Sequence, residues 1–254
     1  MFKQRPQAPS RIRRLLLLAP VVLALTGCSK VSGLGHEEGL SSVNDITLSL
    51  WQGAWITAGV VGLITLILIV WPAIFHRTKV GGPEFPKQTQ YNVPVEVAYT
   101  LIPFLIVAVL FYFTATKESK IVEKSPTTVA HEIGVEGIQW SWQFTYPEAG
   151  PKAIVTGTPD QPPTLVVPMG ERVRYTITSN DVVHGFWIPA FMIQIQNLPG
   201  VTNHIEFTAN KLGNFPGRCN ILCGRNHTQM IFTLKVVTPT EYQTYLENLK
   251  AATV

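Results

Sequence analysis

Residues 172–178 read Arg-Val-Arg-Tyr-Thr-Ile-Thr, an alternation of polar and apolar side chains that is typical of a β-strand with one buried face. Residues 231–236, Ile-Phe-Thr-Leu-Lys-Val, repeat this period of two, and the apolar runs 164–167 and 205–207 add shorter strands. Stretches rich in Gly, Pro and Asn predict the turns between strands, at 147–151, 158–163 and 213–217. This pattern predicts a small β-sandwich over residues 117–240.

Two long apolar runs precede the predicted sandwich. Residues 54–75 contain no charged side chain, and residues 93–116 contain only Glu96. A run of about 20 apolar residues is long enough to cross a bilayer as a helix. Because the polar segment 76–92 between them is short, the sequence predicts a transmembrane hairpin, preceded by a polar surface linker within residues 28–50.

Residues 1–27 resemble the signal peptide of a bacterial lipoprotein. Basic residues precede an apolar run at 15–25 that is too short to cross a bilayer. The run ends in Leu-Thr-Gly-Cys at 25–28, which is similar to a lipobox, so lipid on Cys28 is predicted to anchor the new N-terminus. A plain signal peptide and an uncleaved third helix are the alternatives.

The formal charge of +4 comes from the N-terminal segment. Its basic residues before Cys28 are Lys3, Arg5, Arg11, Arg13 and Arg14. The rest of the chain is nearly neutral, so it has no basic footprint for a nucleic-acid partner. Because lipid is attached on the outer face of the bacterial cytoplasmic membrane, two spans would return the C-terminal half to that outer, periplasmic face.

The densest group of metal-binding side chains lies in residues 219–230, Cys-Asn-Ile-Leu-Cys-Gly-Arg-Asn-His-Thr-Gln-Met. Sulfur and imidazole together select copper or zinc, and the thioether of Met230 argues against zinc. One cysteine, His227, Met230 and a second imidazole from His184 would make a single blue-copper site. The additional cysteine allows two thiolates to bridge two copper ions. A disulfide is the alternative for the cysteines alone, but it does not explain His and Met at these offsets.

The run 219–230, with Asp-Val-Val-His at 181–184 upstream, resembles the dicopper (CuA) signature of cytochrome c oxidase subunit II. The resemblance extends from the hairpin to Val237 and implies a membrane-anchored all-β protein, with a cupredoxin-like Greek-key β-sandwich outside the membrane. The copper ligands that it implies are His184, Cys219, the backbone carbonyl of Ile221, Cys223, His227 and Met230. The tail 241–254 is predicted to form a short capped helix.

The resemblance implies the subunit through which electrons enter a proton-pumping haem–copper terminal oxidase. Its two copper ions would take electrons from cytochrome c or a small copper protein and pass them to haem in subunit I, where O2 is reduced to water; subunit III would be a further partner. Trp140 matches the family's tryptophan for electron uptake, and Glu96 matches a carboxylate near the entrance of a proton path. Simpler interpretations are an ordinary rim aromatic for Trp140 and a favourable helix-dipole contact for Glu96.

Three positions depart from the family pattern. Ile221 stands where the family usually has a glutamate that helps to hold magnesium at the subunit interface, so the carbonyl ligand is kept and the carboxylate is lost. Gln196 replaces a family aspartate, and Ser141 replaces the middle aromatic of a Trp-aromatic-Trp motif. Acidic and basic residues are equally numerous from Lys117 onward, so an acidic docking face for a basic cytochrome c is not evident.

Three other functions use related architectures. A quinol-oxidase second subunit would lack copper, which disagrees with the intact ligand set. Nitrous oxide reductase shares such a dicopper site but needs a large catalytic domain that 254 residues cannot supply. A membrane-tethered copper electron carrier would need only one anchor, whereas this sequence predicts two spans.

Overall fold

The computed structural model describes residues 35–77, 81–82, 85, 88–125 and 129–252. Two long helices come first, α1 (Asn44–Phe75) and α2 (Val93–Ile121). The strands that follow are β1 (His131–Ile138), β2 (Ser141–Thr145), β3 (Ile154–Thr156), β4 (Thr164–Pro168), β5 (Arg172–Ser179), β6 (His184–Ile188), β7 (Ile193–Asn197), β8 (Asn203–Thr208), β9 (Gly213–Cys219) and β10 (Ile231–Val237). A C-terminal helix, α3 (Pro239–Ala252), follows the last strand.

The strands form two five-stranded sheets, ordered β3-β2-β1-β5-β8 and β4-β10-β9-β6-β7. The pairs β1/β5 and β4/β10 are parallel, and the other neighbours are antiparallel. Alternate residues of β1 and β5 are buried, which is the pattern that the sequence of residues 172–178 predicts. The predicted fold class, a two-helix anchor followed by a cupredoxin-like β-sandwich, is confirmed.

Aromatic side chains from both sheets fill the core beside residues 219–230, the predicted metal loop. The rings of Phe186 and Phe232 stack with centroids 5.0 Å apart, and Trp142 meets Phe232 edge to face at 5.4 Å. A Cβ at Gly217 would lie 2.1 Å from the Phe232 ring, so this strand position requires glycine. The stacked rings fix β6, β9 and β10, the strands next to the loop.

Both N-terminal helices are long and apolar enough to span a membrane. The start of α1 and the end of α2 line the same cavity, so the two helices run antiparallel as predicted for a hairpin. α2 continues to Ile121, beyond the predicted end at 116, and the first residues assigned to the sandwich are therefore helical.

α1 begins at Asn44, before the predicted start at 54, and so includes part of the segment predicted as a linker. The hydroxyl of Ser41 accepts the N–H of Asn44 at 3.1 Å, which satisfies a free donor of the first turn. Leu40 and Val43 are buried against the sandwich core. The chain is therefore attached to the domain before it enters α1.

A second attachment follows α2. The carboxylate of Glu206, which is 2% exposed, accepts the N–H of Ser125 at 3.0 Å. It also pairs with Arg172 at 2.9 Å and with Arg174 at 2.8 Å. A buried carboxylate with charged partners ties the connector to β5 and β8.

Two other boundaries differ from the predictions. Residues 213–217, predicted as a turn, belong to β9, where Gly217 is needed to accommodate Phe232. α3 begins at Pro239 instead of 241, because Thr238 and Glu241 form a reciprocal cap with bonds of 3.3 and 2.9 Å. Tyr242 and Leu246 of α3 are buried, so the tail is part of the domain.

Candidate metal centre

Two neighbouring strands bring the predicted copper ligands to one edge of the sandwich. His184 is the first residue of β6 and Cys219 is the last residue of β9. Because these strands are antiparallel, with Phe186 opposite Cys219, the start of one lies beside the end of the other. The loop between β9 and β10 then carries Cys223, His227 and Met230 back to the same edge.

The donor atoms of all six predicted ligands converge. The Sγ atoms of Cys219 and Cys223 are 3.8 Å apart, and both thiols are free. His184 Nδ1 lies 4.0 Å from the sulfur of Cys219, and the carbonyl oxygen of Ile221 lies 3.1 Å from it. The sulfur of Cys223 is 3.5 Å from His227 Nδ1 and 3.7 Å from Met230 Sδ.

The surroundings of the two thiols shift their pKa values in opposite directions. Burial raises the pKa of the Cys219 thiol, but hydrogen bonds with His184 and with the N–H of Gly185 outweigh burial and lower it. Burial and the adjacent charge of Cys219 raise the pKa of Cys223. In the absence of metal, ionisation of one thiol therefore opposes ionisation of the other.

The imidazole of His184 is fully buried and is held from behind. Its Nε2 bonds to the carboxylate of Asp181 at 2.8 Å, which leaves Nδ1 directed at the sulfurs. Partners of this kind fix the tautomer and orientation of a metal-binding histidine. The close approach of the ring requires Gly137, where a Cβ would lie 2.7 Å from Cδ2 of His184.

Trp140 lies against the metal loop. Its indole Nε1 donates to the carbonyl oxygen of Cys223 at 3.2 Å, and the ring is half-buried. A Cβ at Gly224 would lie 3.0 Å from that nitrogen, and Gly224 has a φ of +124°, a conformation that favours glycine. Trp142, in contrast, is fully buried in the core, and Ser141 is buried between them in sequence.

The other two predicted site residues are remote from this cluster or outside the described part of the chain. Glu96 lies in the first turn of α2, where its carboxylate accepts the N–H of Asn92 at 3.0 Å and Asn92 accepts the N–H of Val95 at 3.4 Å. This reciprocal arrangement caps the helix. Cys28 and the predicted signal peptide, residues 1–27, lie outside the described residues.

A cavity of about 670 Å³ lies between the metal loop and two helix ends, the start of α1 and the end of α2. Ile221, Gln194 and Gln196 line it on the sandwich side, and Lys117 and Glu118 line it on the helix side. The wall next to the metal loop is thus formed by apolar and amide side chains.

Sequence reasoning predicted six donors, which the structure brings together, but missed the residues that orient them. Asp181 was visible only as the acidic residue three positions before His184, and Gln139 only as the residue before Trp140. Both residues contact the donor segments directly, with Gln139 Nε2 donating to the carbonyl of Cys223 at 2.7 Å.

Known proteins match most of the chain. A family model described as cytochrome c oxidase subunit II, periplasmic domain, matches residues 159–237. A probable cytochrome c oxidase subunit 2 of Streptomyces avermitilis is 38% identical, over 96% of this chain and 89% of that protein. Cytochrome c oxidase subunit 2 of Mycobacterium tuberculosis is 34% identical, over 96% of this chain and 85% of that protein. The periplasmic domain of subunit II of cytochrome oxidase (CoxB) of Bradyrhizobium japonicum is 30% identical, with a TM-score of 0.47, and covers 51% of this chain and 100% of that chain.

The fold and the donor cluster define a cupredoxin-like protein with a candidate metal site of sulfur and imidazole groups and two helices able to span a membrane. Since relatives of known family match nearly its whole length, the chain belongs to the cytochrome c oxidase subunit II family, whose members are subunits of an oxidoreductase. The predicted family is therefore confirmed. The buried cluster of His184, Cys219 and Cys223, whose donor atoms lie within 4.8 Å of one another, is compatible with the copper site of that family.

Proposed function

We propose that this chain is the subunit through which electrons enter a proton-pumping haem–copper terminal oxidase that reduces O2 to water. The observation that carries the proposal is the convergence of six donor atoms around the two cysteine sulfurs. Each of the four donors that are not cysteines lies within 4.0 Å of one of these sulfurs: His184, Ile221, His227 and Met230. The family membership supports it, because the donors are the residues that the family signature predicts.

The donor set fits a pair of copper ions. The thiolates of Cys219 and Cys223 and the imidazoles of His184 and His227 would hold the ions. Met230 and the carbonyl of Ile221 would be the weaker ligands. With two copper ions bound, the centre would accept and release one electron at a time. The chain contributes a buried, strand-anchored set of ligands, which limits rearrangement, while O2 reduction belongs to the haem–copper subunit.

Trp140 is the proposed site of electron uptake. In support, its indole contacts the carbonyl of Cys223 and is partly exposed to solvent. The exposed side chains of Val182, next to Asp181, and of Leu222, next to Cys223, add apolar surface. A cytochrome c or a small copper protein that docks on this surface would reach the centre through one aromatic ring.

The proposed setting is the bacterial cytoplasmic membrane. α1 and α2 would cross it and pack against subunit I, and subunit III would complete the complex. The sandwich would lie on the outer, periplasmic face, with Ile221 and the cavity beside it directed toward the membrane and the haem of subunit I. Glu96 would lie at the opposite end of α2, near the entrance of a proton path.

The cavity wall next to the metal loop does not offer a magnesium ligand set. Magnesium prefers oxygen ligands in octahedral geometry and is usually bound through one or two carboxylates. Ile221 presents an alkyl side chain, and Gln194 and Gln196 present amides. We therefore propose that this subunit supplies no carboxylate from between its cysteines to the interface.

Lipidation of Cys28 remains a prediction, and labelling tests it. Labelled lipid should attach to the wild-type chain and fail to attach to Cys28→Ala. A lysine reagent that cannot cross the membrane should modify Lys211, which is 55% exposed, if the sandwich lies outside the cell. Unchanged processing of Cys28→Ala would refute the lipobox, and protected Lys211 would refute the orientation.

Copper content tests the proposed function. The full-length chain, purified in detergent, should bind two copper ions and give the mixed-valence electron paramagnetic resonance spectrum of a shared electron. Haem should copurify when the chain is isolated from its native membrane. Cys219→Ser should abolish the two-ion spectrum. One copper ion with a single-ion spectrum, or isolation without haem, would contradict the proposal.

A further inference from the structure

Gln139 bonds to both segments that carry the thiolate and imidazole donors. Its side-chain Nε2 donates to the carbonyl oxygen of Cys223 at 2.7 Å. Its backbone N–H donates to the carboxylate of Asp181 at 2.6 Å, and Asp181 holds Nε2 of His184 at 2.8 Å. The residue that directly follows β1 therefore links Cys223 to His184.

The middle of the metal loop depends on this contact. The ends of the loop are fixed by the strands, since the N–H of Cys219 donates to the carbonyl of Met230 at 2.9 Å. In the loop interior, the carbonyl of Cys223 accepts from Gln139 at 2.7 Å and from Trp140 at 3.2 Å. Fixing this carbonyl fixes the backbone from which the Cys223 sulfur projects.

The adjacent glycine allows both donors to approach. A Cβ at Gly224 would lie 3.2 Å from Nε2 of Gln139 and 3.0 Å from the indole nitrogen of Trp140. Because Gln139 is itself exposed, its side chain contributes little to the apolar core. Its polar contacts, and not burial, therefore define what it does.

We propose that Gln139 is a positioning residue for the metal centre. Its side chain holds the Cys223 carbonyl, and its backbone N–H holds Asp181, which in turn holds the imidazole of His184. The proposal rests on the proposed copper function. A preformed set of donors binds metal without first ordering a loop, and Gln139 supplies that order between two segments distant in sequence. It thereby sets both copper retention and the reduction potential of the bound copper.

The test compares Gln139→Leu with Gln143→Leu in the full-length chain. Gln143 is a matched control because its Nε2 also donates a hydrogen bond, to Glu136 at 3.0 Å, on strand β2 and away from the metal loop. Measurements are copper retention against a competing chelator, the reduction potential of the loaded chain, and the rate at which the metal-free cysteines react with a disulfide reagent.

We expect Gln139→Leu to retain copper about three- to tenfold less tightly, the effect of losing one hydrogen bond. The reduction potential should shift and the metal-free cysteines should react faster, while Gln143→Leu matches wild type in all three. Equal copper retention, potential and thiol reactivity in the two variants would overturn the role of Gln139 and leave the copper function intact. A wild-type chain that binds no copper pair would instead overturn the proposed function, and thiol reactivity would then decide whether Gln139 positions Cys223.

Discussion

Alanine at position 137 would direct a methyl group into the imidazole of a predicted copper ligand. A Cβ there would lie 2.7 Å from Cδ2 and 2.9 Å from Cγ of His184. Carbon atoms attract at about 3.5–4.0 Å, so this contact is strongly repulsive. The ring has little room to retreat, because it is fully buried and its Nε2 is bonded to Asp181. We expect Gly137→Ala to lower the free energy of unfolding by about 1–3 kcal/mol and to weaken copper binding.

Chemical denaturation of the metal-free chain, followed by tryptophan fluorescence, gives the loss of stability. Copper content after dialysis against a chelator gives the effect on the site. Gly134→Ala is the matched control on β1, because its Cβ would meet only Thr145, at 3.2 Å, and no metal ligand. Equal stability and equal copper content in the two variants would refute the steric reasoning.

Three further perturbations test the buried carboxylate of Glu206, the predicted weak ligand Met230 and the cavity wall at Ile221. Burial raises the pKa of Glu206, but hydrogen bonds from Ser125 and Arg174 hold it below its ordinary value. A carboxyl group whose pKa is lower in the folded state than in the unfolded state stabilises the fold at a pH above its unfolded-state pKa. This stabilisation is lost as the pH falls through the folded-state pKa. Acid unfolding of Glu206→Gln should therefore depend less steeply on pH below about 4.3 than acid unfolding of wild type. Met230→Leu should keep both copper ions but shift their reduction potential in a redox titration, and copper loss would contradict a tuning role. Ile221→Glu should lower the reduction potential of the copper, because negative charge near a partly buried site is weakly screened. It should also allow manganese to bind in the assembled complex. An unchanged potential would show that isoleucine in place of the family glutamate has no effect on the copper.

Most of the metal centre could be predicted because its chemistry is local in sequence. Residues 219–230 supply four side-chain donors, and the loop that carries them is short enough to keep them together. The alternation in residues 172–178 and 231–236 predicted β5 and β10 for a similar reason, since each strand buries one face. His184 was supported by the resemblance and is delivered by the pairing of β6 with β9.

The groups that orient the donors depend on contacts between distant segments. Gly137 lies at the end of β1 and Gln139 comes directly after it, and their roles follow only once β1 packs beside His184 and the metal loop. Residues 213–217 have the composition of a turn, yet they form a strand because Gly217 leaves space for Phe232. The start of α1 could not be predicted for a similar reason. Leu40 and Val43, just before the helix, pack against the sandwich core, and the local sequence does not reveal this contact.

The order in which copper and haem are reduced tests most directly whether electrons enter the oxidase through this chain. The oxidised complex is mixed rapidly with reduced cytochrome c, and the copper and haem absorbances are followed together. We expect copper to be reduced before haem, and Trp140→Leu to slow copper reduction in complexes matched to wild type for copper content. Reduction of haem before copper, or at an unchanged rate in Cys219→Ser, would contradict the account.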